Sequence, residues 1–87
     1  MDRFKNKTLL ITGGTGSFGS TVAKKFLKSN LSKIIIFSRD EKKQEDLRIQ
    51  LNSNKIEFQI GDIRDHQCVK NVTKNVDYIF HAAALKQ

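Results

Sequence analysis

Leu9-Leu10-Ile11-Thr12-Gly13-Gly14-Thr15-Gly16-Ser17-Phe18-Gly19 runs an apolar strand into a glycine-rich turn, and an amphipathic helix follows at once. Glycines let a backbone pass close to phosphate groups, and a helix start offers unpaired N–H groups with a partial positive charge. Strand, turn and helix in that order suit a dinucleotide pyrophosphate. The spacing reads G-x-x-G-x-x-G through Gly13, Gly16 and Gly19, and G-x-G-x-x-G through Gly14, Gly16 and Gly19. Thr15, Gly16, Ser17 and Phe18 are expected to line the pyrophosphate, mainly through backbone N–H groups.

On either side of this turn, strand-like and helix-like segments alternate. A β-run covers residues 7–12. Residues 17–29 place Phe18, Val22 and Phe26, then Ala23 and Leu27, at helical spacing, which predicts one buried stripe. Residues 33–37 contain Ile34-Ile35-Ile36-Phe37, apolar on both faces as in a strand covered on two sides. A second helix follows to about residue 52, with Leu47 and Leu51 inward; Ser38 with Glu41 forms one candidate cap and Asp40 a rival. Asn52-Ser53-Asn54 is a turn. Residues 56–60 alternate apolar and polar side chains, as a strand near a sheet edge does. Gly61-Asp62 breaks that strand, Asp65 caps a short helix through residue 72, and residues 76–82 form a fourth strand. The pattern is β-α-β-α-β-α-β. Right-handed crossovers then give a Rossmann-type, doubly wound parallel α/β sheet in the order 3-2-1-4, with its ligand crevice above the C-terminal ends of the strands.

Composition narrows the function classes. The chain has 87 residues, 38% hydrophobic and 29% charged, which fits one small domain. No apolar run approaches the ~20 residues that span a bilayer, and the short segment after Lys7 breaks at Gly13-Gly14, unlike an export signal. The single cysteine, Cys68, precludes an internal disulfide, suits a reducing cytoplasm and reads as a small packed side chain. Net charge is +7, from 16 basic and 9 acidic residues. Lys24, Lys25 and Lys28 fall on the outward side of the first helix as a solvated face. Arg39, Lys42 and Lys43 gather after the second strand, where they suit a specific anion better than nucleic acid.

The loops after the other three strands carry the remaining chemistry. At the tip of the second strand an acidic residue would accept from the ribose hydroxyls of NAD. Here that tip is Ser38, followed by Arg39, and a hydroxyl beside a guanidinium suits a 2′-phosphate instead. Lys43 adds a cation one helical turn on, and Asp40 reads as a helix cap or backbone ligand. The expected cofactor is therefore NADP. In the third loop, Gly61-Asp62-Ile63-Arg64-Asp65, Asp62 can accept from an adenine amino group while Ile63 packs on the ring; a plain turn with a helix cap explains the same residues. In the fourth, small residues such as Ala82 let a ribose lie against the backbone, and Lys86 can meet a phosphate. His81, on the strand itself, reads as a packed, hydrogen-bonded core histidine.

Taken together, Thr12-Gly13-Gly14-Thr15-Gly16-Ser17-Phe18-Gly19, Phe37-Ser38-Arg39-Asp40-Glu41, Gly61-Asp62-Ile63-Arg64-Asp65 and Phe80-His81-Ala82-Ala83-Ala84-Leu85-Lys86-Gln87 resemble the extended short-chain dehydrogenase/reductases. Within them the chain is most similar to the polysaccharide-biosynthesis branch, which includes inverting UDP-N-acetylglucosamine 4,6-dehydratases and relatives described as UDP-glucose 4-epimerases. The resemblance implies that Thr15 to Phe18, Ser38 to Lys43, Asp62, Ile63, Ala82 and Lys86 hold NADP, with Lys86 also reaching the substrate diphosphate. It further implies hydride removal from sugar C4, proton loss at C5, loss of water from C6 and hydride return at C6. A 4-epimerase would instead return the hydride to the other face of C4.

The family's Tyr-x-x-x-Lys pair is not found in this sequence. Tyr78 is the only tyrosine, and residue 82 is alanine. No catalytic residue and no metal ligand set is assigned. Residues 1–87 are expected to be the N-terminal part of an NADP-binding domain, inactive without a catalytic and substrate-binding C-terminal part. The full-length enzyme is expected to be a cytoplasmic homo-oligomer acting on a UDP-sugar, without nucleic-acid or membrane partners. On its own the piece is expected to fold marginally or self-associate through the apolar strand edge of Tyr78, Ile79 and Phe80. A stand-alone dinucleotide-binding module without catalysis is the non-enzymatic alternative.

Overall fold

A computed structural model describes residues 4–13 and 16–82. Four strands and three helices alternate: β1 (Thr8–Thr12), α1 (Ser17–Phe26), β2 (Lys33–Ser38), α2 (Glu41–Leu51), β3 (Ile56–Ile60), α3 (His66–Val72) and β4 (Tyr78–His81). The strands form one parallel sheet in the order β3-β2-β1-β4, as the crossover rule predicts. Register places Leu9, Leu10, Ile11 and Thr12 of β1 opposite Ile34, Ile35, Ile36 and Phe37 of β2, and opposite Tyr78, Ile79, Phe80 and His81 of β4.

Because side chains alternate along a strand, the two faces of the sheet bury different sets. Leu9, Ile11, Ile34 and Ile36 pack with Ala23 of α1 and Leu47 of α2. Leu10, Ile35 and Phe37 face the other way, with Cys68, Val69 and Val72 of α3 and Val76 packed against them. The central strands are thus covered twice, which is why their sequence reads as an unbroken apolar run. At the margins the cover thins. On β3, Glu57 pairs with Lys33 at 3.1 Å, and Gln59 is exposed. On β4, Ile79 is 48% exposed.

Three local expectations are corrected, and one open choice, the α2 cap, is settled. Helix α1 ends at Phe26 rather than at residue 29. After Phe26 the Lys28 and Ser29 amides turn to i−3 carbonyls, Ser29 Oγ donates to the Phe26 carbonyl at 2.6 Å, and Lys55 Nζ donates to the Leu27 and Ser29 carbonyls at 3.3 and 2.9 Å, satisfying the carbonyls left at the helix end. Phe18 lies outside the buried stripe: it is 52% exposed, its ring tilted against Phe80 with centroids 5.7 Å apart. The contest for the α2 cap goes to Asp40, whose Oδ1 accepts from the Lys43 amide at 2.9 Å. Ser38 is still the last residue of β2. Finally, β4 begins at Tyr78 rather than at residue 76. Asn75 adopts a left-handed φ of 61°, and Asp77 joins β1 at both ends of Thr8: its carboxylate accepts from the Thr8 amide and its amide donates to the Thr8 carbonyl.

Candidate cofactor site

The turn after β1 is built for close approach. Gly13 has φ 71°, a left-handed conformation that favours glycine, and its amide donates to the Phe37 carbonyl at 2.8 Å, extending the β1–β2 pairing by one residue. Gly16 stands at the N-cap of α1 in an extended conformation, with no side-chain cap on the helix. By contrast, α2 and α3 are closed by Asp40 and Asp65. At the start of α1 the N-cap position itself supplies no side-chain acceptor, the arrangement in which helix-start amides can meet an anion. A β-carbon at Gly16 would meet only the Gly13 carbonyl at 3.7 Å, ordinary contact, so internal packing does not demand a glycine there. Gly16 is exposed, and its missing side chain leaves this part of the turn open. Gly19 is buried on the inner side of α1, where the third glycine of such a turn permits close helix–sheet packing.

Beside that turn, the C-terminal ends of β1, β2 and β3 enclose an open cleft of about 350 Å³. Thr12 and Gly13 form one wall, Ser38 and Arg39 the middle, and Gly61, Asp62, Ile63 and Arg64 the far side, with Phe37 in the floor. Ser38 is fixed from below. Buried Gln44 donates through Nε2 to Ser38 Oγ at 2.9 Å and to the Gln59 carbonyl at 2.8 Å, tying the ends of β2 and β3 together. The Ser38 hydroxyl therefore accepts from inside and keeps its own proton to donate.

Charge in the cleft centres on Asp62. The Arg64 side chain reaches both of its oxygens, Nε to Oδ1 at 3.1 Å and Nη2 to Oδ2 at 2.8 Å, and the Arg64 amide donates to Oδ1 at 2.9 Å. Arg39 Nη1 stands 3.7 Å from Oδ2. Hydrogen bonds from Arg64, helped by the charges of Arg64 and Arg39, hold the Asp62 carboxyl down at about 2. Both arginines remain largely exposed, Arg39 by 68% and Arg64 by 77%. Nearby, Asp65 accepts from the Cys68 thiol at 3.4 Å and pushes its pKa up. That thiol stays protonated and half-buried, a packing group as its sequence context suggests.

Of the site residues expected from sequence, Gly13, Ser38, Arg39, Asp62 and Ile63 come together in this cleft. Gly16, Phe18 and Gly19 sit at the α1 start, with Ser17 opening the helix. Asp40 and Lys43 lie on the first turn of α2, Asp40 engaged as its cap. Ala82 follows β4, on the other side of β1 from the cleft, and its side chain is buried in the core. Gly14, Thr15 and Lys86 lie outside the described residues. His81 is not packed: it is exposed, with Nδ1 3.0 Å from Thr12 Oγ1.

Two residues of the site escaped the sequence reading. Arg64 carries a signal in Asp-x-Arg, whose short spacing lets a guanidinium fold back on the carboxylate. Gln44 carries one in its spacing from Leu47 and Leu51, which puts a polar residue on the apolar stripe of α2. Among the described residues no cluster of side chains could hold a metal ion, and no helix is long and apolar enough to cross a membrane.

Residues 9–87 match the family described as polysaccharide biosynthesis protein. Proteins named UDP-glucose 4-epimerase from Rickettsia prowazekii (strain Madrid E) and Rickettsia bellii (strain OSU 85-389) are 60% and 61% identical to the chain, over 97% of its length and 26% of theirs. The chain thus spans about a quarter of these relatives. Among solved structures, Pen from Bacillus thuringiensis superposes with a TM-score of 0.90 at 38% identity, covering 98% of this chain and 26% of that one. The epimerase Mth375 from Methanothermobacter thermautotrophicus gives 0.76 at 32% identity, covering 91% and 23%. A short-chain dehydrogenase/reductase from Brucella melitensis shares the fold, at a TM-score of 0.71 and 21% identity, over 90% of this chain and 36% of that one.

Proposed function

This chain belongs to the polysaccharide biosynthesis protein family, and from that premise we propose that it holds NADP as the cofactor-binding part of a nucleotide-sugar enzyme. One observation carries the reading: a helix start with glycine at its N-cap lies beside a cleft over which Arg39 presents an exposed guanidinium. The α1 amides take the pyrophosphate, with Gly14 and Thr15 completing the turn. Ser38 and Arg39 take the 2′-phosphate, with Lys43 behind them. Ile63, 44% exposed, offers an apolar surface to the adenine. Ala82 and Lys86 complete the ribose and phosphate contacts on the β4 side. Bound NADP would supply a reversible store for the hydride of sugar C4 within one turnover.

For the whole enzyme the reading is 4,6-dehydration of UDP-N-acetylglucosamine with inversion at C5, supported by the Ser-Arg-Asp-Glu and His-Ala-Ala-Ala-Leu-Lys-Gln segments. A second reading, 4-epimerisation, is favoured by the names of the Rickettsia relatives. Product analysis of the full-length protein with UDP-N-acetylglucosamine and UDP-glucose separates them. A 4-keto-6-deoxy sugar supports dehydration; a C4 epimer without loss of water supports the second. The cofactor assignment is tested by a crystal structure grown with NADP. The expected density places the pyrophosphate at the start of α1 and the 2′-phosphate on Arg39. A 2′-phosphate directed into solvent would overturn it.

A further inference from the structure

The cleft proposed for NADP contains an acidic side chain that ought to work against it. A carboxylate beside the adenosine ribose is the feature that suits the unphosphorylated hydroxyls of NAD, and it repels a phosphate monoester. Asp62 follows β3, on the adenine side, yet it lines the same cleft as Ser38 and Arg39, with Oδ2 3.7 Å from Arg39 Nη1, close enough to oppose a phosphate held there. Yet both of its oxygens are engaged by Arg64, through two side-chain nitrogens and the backbone amide. Because Arg64 is only two residues on, the turn after β3 is enough to form this clasp.

Arg39 is held differently. Its Nη1 is 3.7 Å from Asp62 Oδ2, outside hydrogen-bond distance, so charge draws the guanidinium over the cleft without spending that donor on the carboxylate. The cluster sums two cations and one anion, a net positive charge facing the ligand. Exposed ion pairs of this kind add little to folding, so their arrangement matters mainly for what binds. Resting on the NADP reading, we infer that Arg64 masks Asp62, and that this masking lets the cleft select a phosphorylated ribose over an unphosphorylated one. Arg64 is then a positioning residue that acts through Asp62.

Calorimetric titration of NADP and NAD into the wild-type protein, Arg64→Ala, Arg64→Lys and the double variant Arg64→Ala/Asp62→Asn tests this. Arg64→Ala should weaken NADP about tenfold while NAD holds or tightens. Arg64→Lys should keep most of the selectivity, because a cation still faces the carboxylate. The double variant should recover selectivity for NADP, an outcome that a merely structural role for Arg64 does not give. An Arg64→Ala protein with an unchanged NADP-to-NAD ratio would overturn the inference, as would a double variant no better than the single one. Arg39→Ala, titrated alongside, separates the two levels. If it leaves NADP binding intact, the cofactor reading itself fails; if it abolishes NADP preference while Arg64→Ala does not alter it, only the masking fails.

Discussion

The backbone of Gly61 lies against the ring of Phe37: a β-carbon at residue 61 would stand 2.6 Å from Phe37 Cε1 and 2.8 Å from Cζ. Phe37 is 3% exposed and packed against α3, so the ring has little room to yield. Gly61→Ala should therefore cost about 1–3 kcal/mol, the usual penalty for overpacking, read by urea denaturation. Pairing it with Phe37→Leu should recover part of the loss. A Gly61→Ala protein as stable as wild type would show that the turn after β3 can move away from β2.

Gln44 gives a second prediction. Its Nε2 joins Ser38 Oγ to the Gln59 carbonyl from a buried position. Gln44→Leu keeps the bulk but strands the Gln59 carbonyl, which should cost about 1–3 kcal/mol. Since the same amide steadies Ser38, NADP binding should weaken as well. Denaturation and titration on one sample check both, and a loss of stability with unchanged NADP affinity would place Gln44 outside the site.

The Asp62 carboxyl predicts an acid dependence with a definite sign. Its folded value, about 2, lies below the ordinary 3.8, mainly through hydrogen bonds from Arg64. A depressed value means that the ionised carboxylate contributes to stability above about 3.8, and that the contribution is lost as pH falls through about 2. Carboxyl-carbon NMR should show Asp62 titrating near the lower value in wild type and returning toward the ordinary one in Arg64→Ala. An Asp62 that titrates normally in wild type would contradict the clasp.

Much of this was legible in the sequence, for physical reasons that can be named. The Ile34 to Phe37 run reads as a twice-covered strand, the Gly13 to Gly19 spacing marks the first turn, and the doubly wound pattern with right-handed crossovers gives the sheet order. The cleft-lining positions of Ser38 and Arg39 followed from counting to the end of β2. What escaped was decided by partners rather than by pattern. Asp40 took the α2 cap because Ser38 was still part of the strand. The early end of α1 comes with i→i−3 bonds from the Lys28 and Ser29 amides, and Lys55, distant in sequence, ties down the carbonyls that follow. Phe18 looked buried by its spacing, but it stands half-exposed with its ring tilted against Phe80 of β4. Arg64 drew no attention because its partner is a local carboxylate, whose turn and helix-cap explanation was already sufficient.

The central claim is that Arg39 reads a 2′-phosphate. Titrating NADP and NAD into wild type and Arg39→Ala tests it most directly. Loss of a charge-assisted contact should weaken NADP at least about tenfold and leave NAD within about twofold. Equal losses for the two nucleotides, or none for either, would contradict the claim.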